Sequence, residues 1–216
     1  MKEVLTVALP KGRIQKDTMK LLKQIGISCP EMEVDSRKLI FELPEKKMRF
    51  MVVRATDVPT YVEQGAADIG IVGKDTLMEQ GKDLYEPLDL KIGYCRMIVA
   101  EAEELQKRDK PSEWTHIRIA TKFPNITEEF FRKKGIQVEM IKLYGSIELA
   151  PLVGLSERIV DLVSTGETLK QNGLVEVEDI MEVTSRLIVN RASLKTRYKR
   201  INNLIGDLKE VLDRGI

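Results

Sequence analysis

The 216-residue sequence predicts an α/β protein. Short apolar, strand-like runs alternate with amphipathic, helix-like stretches along the whole chain. Glycines close the helix candidates, as Gly26 and Gly65 do. Two long strand-like crossings bracket a central α/β portion, which predicts two lobes with a discontinuous first one: residues 1–92 plus 182–216, and residues 93–181.

In order, "VLTVALPKGRI" reads as a buried strand, a turn at Pro10-Lys11-Gly12 and a helix to about Ile25. That helix gathers Ile14, Met19, Leu21, Leu22 and Ile25 on one side. "KLIFEL" and "MRFMVV" form a hairpin through "PEKK". "TDVPTYVEQG" is a short helix with Pro59 in its first turn; "ADIGIVG" is a buried strand and "KDTLMEQG" a second short helix. "LKIGYCRMIVA" is one long strand. "HIRIAT", "QVEMIKL" and "RIVDLVST" are strands separated by the helical "FPNITEEFFRKKG" and "GSIELAPLVGL". "VEVEDIMEVTSRLIVN" is a single extended run, and a charged amphipathic helix follows from about Leu194. The sheet is expected to be largely parallel, with a ligand site in the cleft between lobes at strand carboxyl ends.

Composition excludes several classes. A net charge of +1, from 35 basic and 34 acidic residues, argues against a bulk nucleic-acid binder. Cys29 and Cys95 lie far apart, so a disulfide framework or zinc site is not expected, and a cytoplasmic setting is. One histidine, His116, cannot build a multi-histidine metal site. No apolar stretch reaches membrane-spanning length.

The richest motif is "IVDLVSTGETL", Ile159–Leu169. A carboxylate, Asp161, stands near the end of a buried strand, and small or polar residues then open a helix. Backbone N–H groups at such a start lack intrahelical partners and suit a phosphate, while Gly166 lets a ligand come close. Phosphate grip and hydroxyl acceptor together describe a ribose 5-phosphate site. The same residues also suit an ordinary helix cap beside an exposed turn carboxylate.

Asp161, Thr165, Gly166 and Thr168 resemble the phosphoribosyl-diphosphate (PRPP) loop, whose common form has two acids before Thr-Gly-x-Thr; Val160 holds the place of the first. "ALPKGRI", "DSRKL", "RATDVPTYVEQGAADIGIVGKD", "KLYGSIELAPLVGL" and "IVDLVSTGETLKQNGLVEVE" follow one another in an order that resembles the catalytic subunit of ATP phosphoribosyltransferase over essentially the whole chain. The resemblance implies a two-lobe fold like the type II periplasmic binding proteins. It implies transfer of the phosphoribosyl group of PRPP to N1 of the adenine of ATP, with release of diphosphate, as the first step of histidine biosynthesis. A chain stopping at Ile216 resembles the short form, which works in a hetero-oligomer with a separate regulatory subunit related to histidyl-tRNA synthetase.

On that resemblance Ser164, Thr165, Gly166, Glu167, Thr168 and Leu169 grip the 5-phosphate, and Asp161 and Glu148 orient the ribose. Arg13 and Arg37 are the expected catalytic residues, binding and stabilising the phosphate charge of ATP or of the leaving diphosphate. Lys11, Gly12, Arg54, Asp68 and Gly73 are expected around ATP or diphosphate. Mg²⁺ is expected on substrate phosphates, without a dedicated protein cage. The residues alone leave other readings open. Lys11 and Arg13 fit a solvated turn, Arg37 a polar linker, and Gly70 and Gly73 tight packing. Tyr144 fits packing or ring stacking, His116 no catalytic role, and Met78, Met97, Met140 and Met181 a core. A two-lobe module that only binds or senses a small molecule is the alternative function, and a catalytically silent regulatory partner a third.

Overall fold

The computed structural model describes residues 4–32, 34, 37–107 and 116–215. The chain divides into two compact units: Met1–Leu77 with Gly81–Gly93 and Thr184–Ile216, and Met78–Gln80 with Tyr94–Val183.

Unit 1 is built on a six-stranded sheet of β1 (Leu5–Pro10), β2 (Ile40–Leu43), β3 (Met48–Val53), β4 (Ile69–Gly73), β5 (Tyr85–Asp89) and β11 (Ser185–Val189), in the order β2-β3-β1-β4-β11-β5. Strand β1 is parallel to β3 and β4, while β2, β5 and β11 run antiparallel to their neighbours. Helix α1 (Arg13–Gln24) buries Met19, Leu21 and Leu22 against one face. The long α9 (Tyr198–Asp213) joins that core with Leu204, Leu208 and Val211 at helical spacing. On the other face α2 (Val58–Glu63) packs Val58 and Val62 over Ala8, Val72 and Ile188. A Cβ on Gly70 would lie 2.7 Å from Val62 and 2.8 Å from Val58, so this glycine serves close helix–sheet packing. Helix α3 (Lys74–Gln80) leaves β4 directly and ends on left-handed Gly81.

Unit 2 holds β6 (Cys95–Ala102), β7 (His116–Thr121), β8 (Gln137–Lys142), β9 (Arg158–Val163) and β10 (Leu174–Val183), in the order β10-β6-β9-β7-β8. Alternate residues serve opposite faces, as strand periodicity demands. Met97, Val99 and Val160 face α5 (Pro124–Lys133), whereas Ile98, Ala100 and Ile159 face α6 (Leu149–Leu152) and α7 (Glu167–Gln171). A short α4 (Glu103–Gln106) follows β6.

The sheets are mixed rather than largely parallel. Helical crossovers generate the parallel pairs β1/β3, β1/β4, β7/β8 and β7/β9; a hairpin and the long return strands generate the antiparallel ones. The run expected as one strand from Leu90 begins at Cys95, because Lys91 (φ 54) and Gly93 (φ 67) turn the backbone before it. The second long run divides at Thr184 into β10 and β11, which belong to different sheets. Strand β5 was not expected from the sequence; Pro87 inside it is tolerated because β5 is an edge strand. The C-terminal helical region starts earlier than Leu194, with α8 (Arg191–Thr196), whose cap is the Asn190 side chain accepting from the Ser193 N–H at 2.9 Å. Among the described residues no helix is long and apolar enough to cross a membrane.

Candidate functional site

In unit 2 the chain leaves β9 at Val163, turns through Ser164-Thr165-Gly166 and enters α7. Gly166 has φ 76, a left-handed conformation that glycine adopts without penalty. The first helical bond runs from the Lys170 N–H to the Gly166 carbonyl. The N–H groups of Glu167, Thr168 and Leu169 therefore precede the helical ladder, where an anion can accept from them. A pocket of about 230 Å³ is lined by this turn, Asp161 and Glu148. The eight residues expected to hold PRPP thus share one concavity.

Asp161 accepts a hydrogen bond from the Leu162 N–H at 2.8 Å. Burial pushes its carboxyl up from the ordinary range, and the Glu148 charge adds to that; the Leu162 N–H and Lys122 pull the other way. Glu148 stands at the N-cap position of the short α6, at the helix start expected for it, and Gly154 (φ 71) follows the end of that helix. Lys122 had not been singled out from the sequence. Thr121 pairs with Val160 in parallel register, so Lys122, directly after β7, stands beside Asp161 of β9. A cation directly after a strand, as with Lys11, was the available signal.

In unit 1 the Lys11 N–H donates to the Val53 carbonyl at 3.0 Å, extending the β1/β3 ladder to the turn. Lys11, Gly12 and Arg13 are exposed at the carboxyl end of β1, and Gly12 caps α1 with φ 112. Arg54 follows β3 and is exposed; its carbonyl accepts from Asp57 and Val58 N–H groups, closing the turn into α2. Gly73 ends β4, and Asp75 of α3 occupies the space a Cβ there would need. These positions share the carboxyl edge of three adjacent strands. Arg37 is exposed in a bend before β2. The β2/β3 register, with the Val52 N–H donating to the Leu39 carbonyl at 2.8 Å, carries the chain before Ile40 back past that edge. Asp35 and Ser36 of "DSRKL" lie outside the described residues.

Asp68 requires a correction. It precedes β4, at the amino end of the sheet, and is buried. Its carboxylate accepts from the Thr6 N–H (2.8 Å), the Ser193 hydroxyl (2.7 Å) and an Arg197 guanidinium N–H (2.7 Å). Those bonds tie β1 and the C-terminal helices to β4, which is a structural role. Met78 and Tyr144 are not core residues, being 41% and 82% exposed. Met97 is buried, Met140 and Met181 are half-buried, and His116 is exposed at the start of β7.

A family profile described as ATP phosphoribosyltransferase matches residues 54–210. The chain belongs to the ATP phosphoribosyltransferase family. Among curated members, one named ATP phosphoribosyltransferase from Syntrophotalea carbinolica is 69% identical over 98% of this chain and 97% of its own length. Another, from Caldanaerobacter subterraneus, is 55% identical over 99% of this chain and 100% of its own. A solved structure of the ATP phosphoribosyl transferase (HisG:HisZ) complex from Thermotoga maritima matches with a TM-score of 0.81 and 35% identity, covering 98% of this chain and 100% of that one. The aliphatic sulphonate binding protein SsuA from Escherichia coli matches with a TM-score of 0.61 at 15% identity, covering 96% and 72%. That likeness concerns the fold, the periplasmic-binding-protein-like class expected from the sequence. Thr165, Gly166 and Thr168 lie within the matched family region, as do Glu148 and Asp161.

Proposed function

We propose that this chain is an ATP phosphoribosyltransferase that moves the 5-phosphoribosyl group of PRPP to N1 of the adenine of ATP, releasing diphosphate, as the first step of histidine biosynthesis. The observation that carries this reading is the single pocket of Glu148, Asp161 and the turn Ser164–Leu169 in a chain of this family.

The reaction forms a bond from N1 to the anomeric carbon and breaks the bond from that carbon to diphosphate. Positive charge grows on the ribose and negative charge on the leaving group. The attacking ring nitrogen carries no proton to remove, so alignment and charge stabilisation are the main demands. The turn holds the 5-phosphate through backbone N–H groups and the Ser164, Thr165 and Thr168 hydroxyls. Asp161 and Glu148 accept hydrogen bonds from ribose hydroxyls, and their charge favours the cationic ribose of the transition state. Arg13 and Arg37 stabilise the leaving diphosphate, while Lys11, Gly12, Arg54 and Gly73 serve ATP or diphosphate; guanidinium forks suit phosphate oxygens. Among the described residues no three His, Cys, Asp or Glu side chains form a metal cluster. Mg²⁺ carried on substrate phosphates and water would neutralise phosphate charge there.

The unit of Met1–Leu77, Gly81–Gly93 and Thr184–Ile216 carries these cations, and the unit of Met78–Gln80 and Tyr94–Val183 the phosphate grip. The name of the Thermotoga maritima complex supports a separate regulatory subunit in a hetero-oligomer. Cys29 and Cys95, both buried and outside any disulfide, suit a cytoplasmic setting.

The test mixes the protein and its regulatory subunit with ATP, PRPP and Mg²⁺ and follows diphosphate release together with formation of phosphoribosyl-ATP. Binding of both substrates without turnover would return the protein to the non-catalytic alternative.

A further inference from the structure

The turn proposed to grip a phosphate dianion has a carboxylate beside it. One oxygen of Glu176 in β10 stands 3.4 Å from the point where a Cβ on Gly166 would sit. Its other oxygen accepts from an Arg96 N–H of β6 at 2.7 Å, and a second Arg96 N–H donates to Asp179 at 2.6 Å. Arg96 itself pairs in register with Val163, the last residue of β9 before the turn. Residues 176 and 179 would point to opposite faces of a regular strand. The register shift between Glu176 and Glu178 lets both reach one guanidinium. The Arg96 and Glu176 side chains are each about one-third exposed, while Asp179 is 65% exposed and better screened by solvent.

We infer that Arg96 is a positioning residue for the phosphate turn: it holds the Glu176 carboxylate in an ion pair and cancels a charge that would otherwise repel the 5-phosphate. The inference rests on reading that turn as the 5-phosphate grip. Unit charges several ångströms apart near a protein surface interact strongly enough to change affinity about tenfold. The Arg96 fork, with one N–H on Glu176 and another on Asp179, also fixes where the Glu176 carboxylate stands beside Gly166.

Calorimetric titration of the full chain with ribose 5-phosphate, and separately with ATP, tests this. Arg96→Met is expected to weaken ribose 5-phosphate by about tenfold and to leave ATP within about twofold. Adding Glu176→Gln to that variant is expected to restore ribose 5-phosphate to within about threefold of the parent. Failure of the second substitution to rescue, or an equal loss for ATP, overturns the inference. Glu176→Gln alone provides a separate measure if Arg96→Met does not fold: it should bind ribose 5-phosphate severalfold tighter at low ionic strength, and unchanged or weaker binding overturns the inference. Ribose 5-phosphate binding by the unsubstituted protein that Thr168→Ala does not weaken would instead strike the phosphate-turn reading itself.

Discussion

Arg158 and Glu101 are register partners on the adjacent strands β9 and β6, with Nε of one 2.9 Å from a carboxylate oxygen of the other. Both side chains are 2% exposed. A buried pair of this kind holds the start of the strand whose far end delivers the phosphate turn. Removing one partner strands a charge in the core, so Arg158→Met should cost about 3–5 kcal/mol in urea unfolding. Replacing both residues, with Glu101→Leu as well, should cost less than the single change. Burial already pushes the Glu101 carboxyl up. Without its cation the folded state binds the proton more tightly than the unfolded state. The stability of Arg158→Met should therefore rise as pH falls towards the ordinary carboxylate range.

Asp161 gives a pH prediction of its own. Its carboxyl is raised by burial first and by Glu148 second. Only the ionised form offers both oxygens as strong acceptors to the sugar hydroxyls, so PRPP affinity should fall as pH falls through that raised value. Glu148→Gln should move this acid limb to lower pH, and Lys122→Ala to higher pH. An acid whose folded pKa is raised costs stability once ionised, so Asp161→Asn should leave stability at neutral pH equal or higher. The same variant should raise KM for PRPP more than KM for ATP; equal effects on both would refute the assignment.

Gly166→Ala meets a backbone obstacle. Its φ of 76 lies in the left-handed region, costing a Cβ residue about 1–2 kcal/mol. Steady-state kinetics should show KM for PRPP raised several-fold, with KM for ATP much less affected.

Asp68→Ala should separate structure from substrate binding. It leaves Arg197 and the Thr6 N–H without their 2.7 and 2.8 Å acceptor, so a stability loss of about 3–5 kcal/mol is expected. KM values for ATP and PRPP should stay within about twofold below the melting range. A selective rise in KM for ATP would restore Asp68 to the site.

Arg13→Ala should slow turnover by about 10²–10³, the usual cost of losing one preorganised transition-state donor. A rise in KM at unchanged kcat would make Arg13 a binding residue only.

The sequence made the phosphate turn legible because strand, glycine and helix start are adjacent along the chain. Glu148 stands thirteen positions before Asp161, so only the family motif joined the two. The carboxyl-edge cations were legible for the same local reason: Lys11 and Arg54 directly follow apolar strands, and Arg13 opens the helix after the Lys11-Gly12 turn. Asp68 was misread because sequence does not tell which end of a strand bears the ligand; its partners Ser193 and Arg197 lie more than 120 residues away. Strand β5 was hidden by Pro87, and the division at Thr184 by an unbroken extended pattern on either side. Arg96 and Glu176 meet across 80 residues, on strands whose pairing a single sequence does not display.

The position of β11 has a consequence for biosynthesis. It is inserted between β4 and β5 and is the only strand that pairs with β5 among the described residues. During translation Tyr85–Asp89 emerges about a hundred residues before that partner, whereas every described strand of unit 2 is made before β11 begins. The ribosome therefore releases the later-starting unit in a state able to close first, and the earlier one waits for its own C-terminal strand. Nascent chains arrested before Ser185 clears the exit tunnel should show protease protection over residues 116–183 and cleavage within residues 81–93; protection of both would contradict this order.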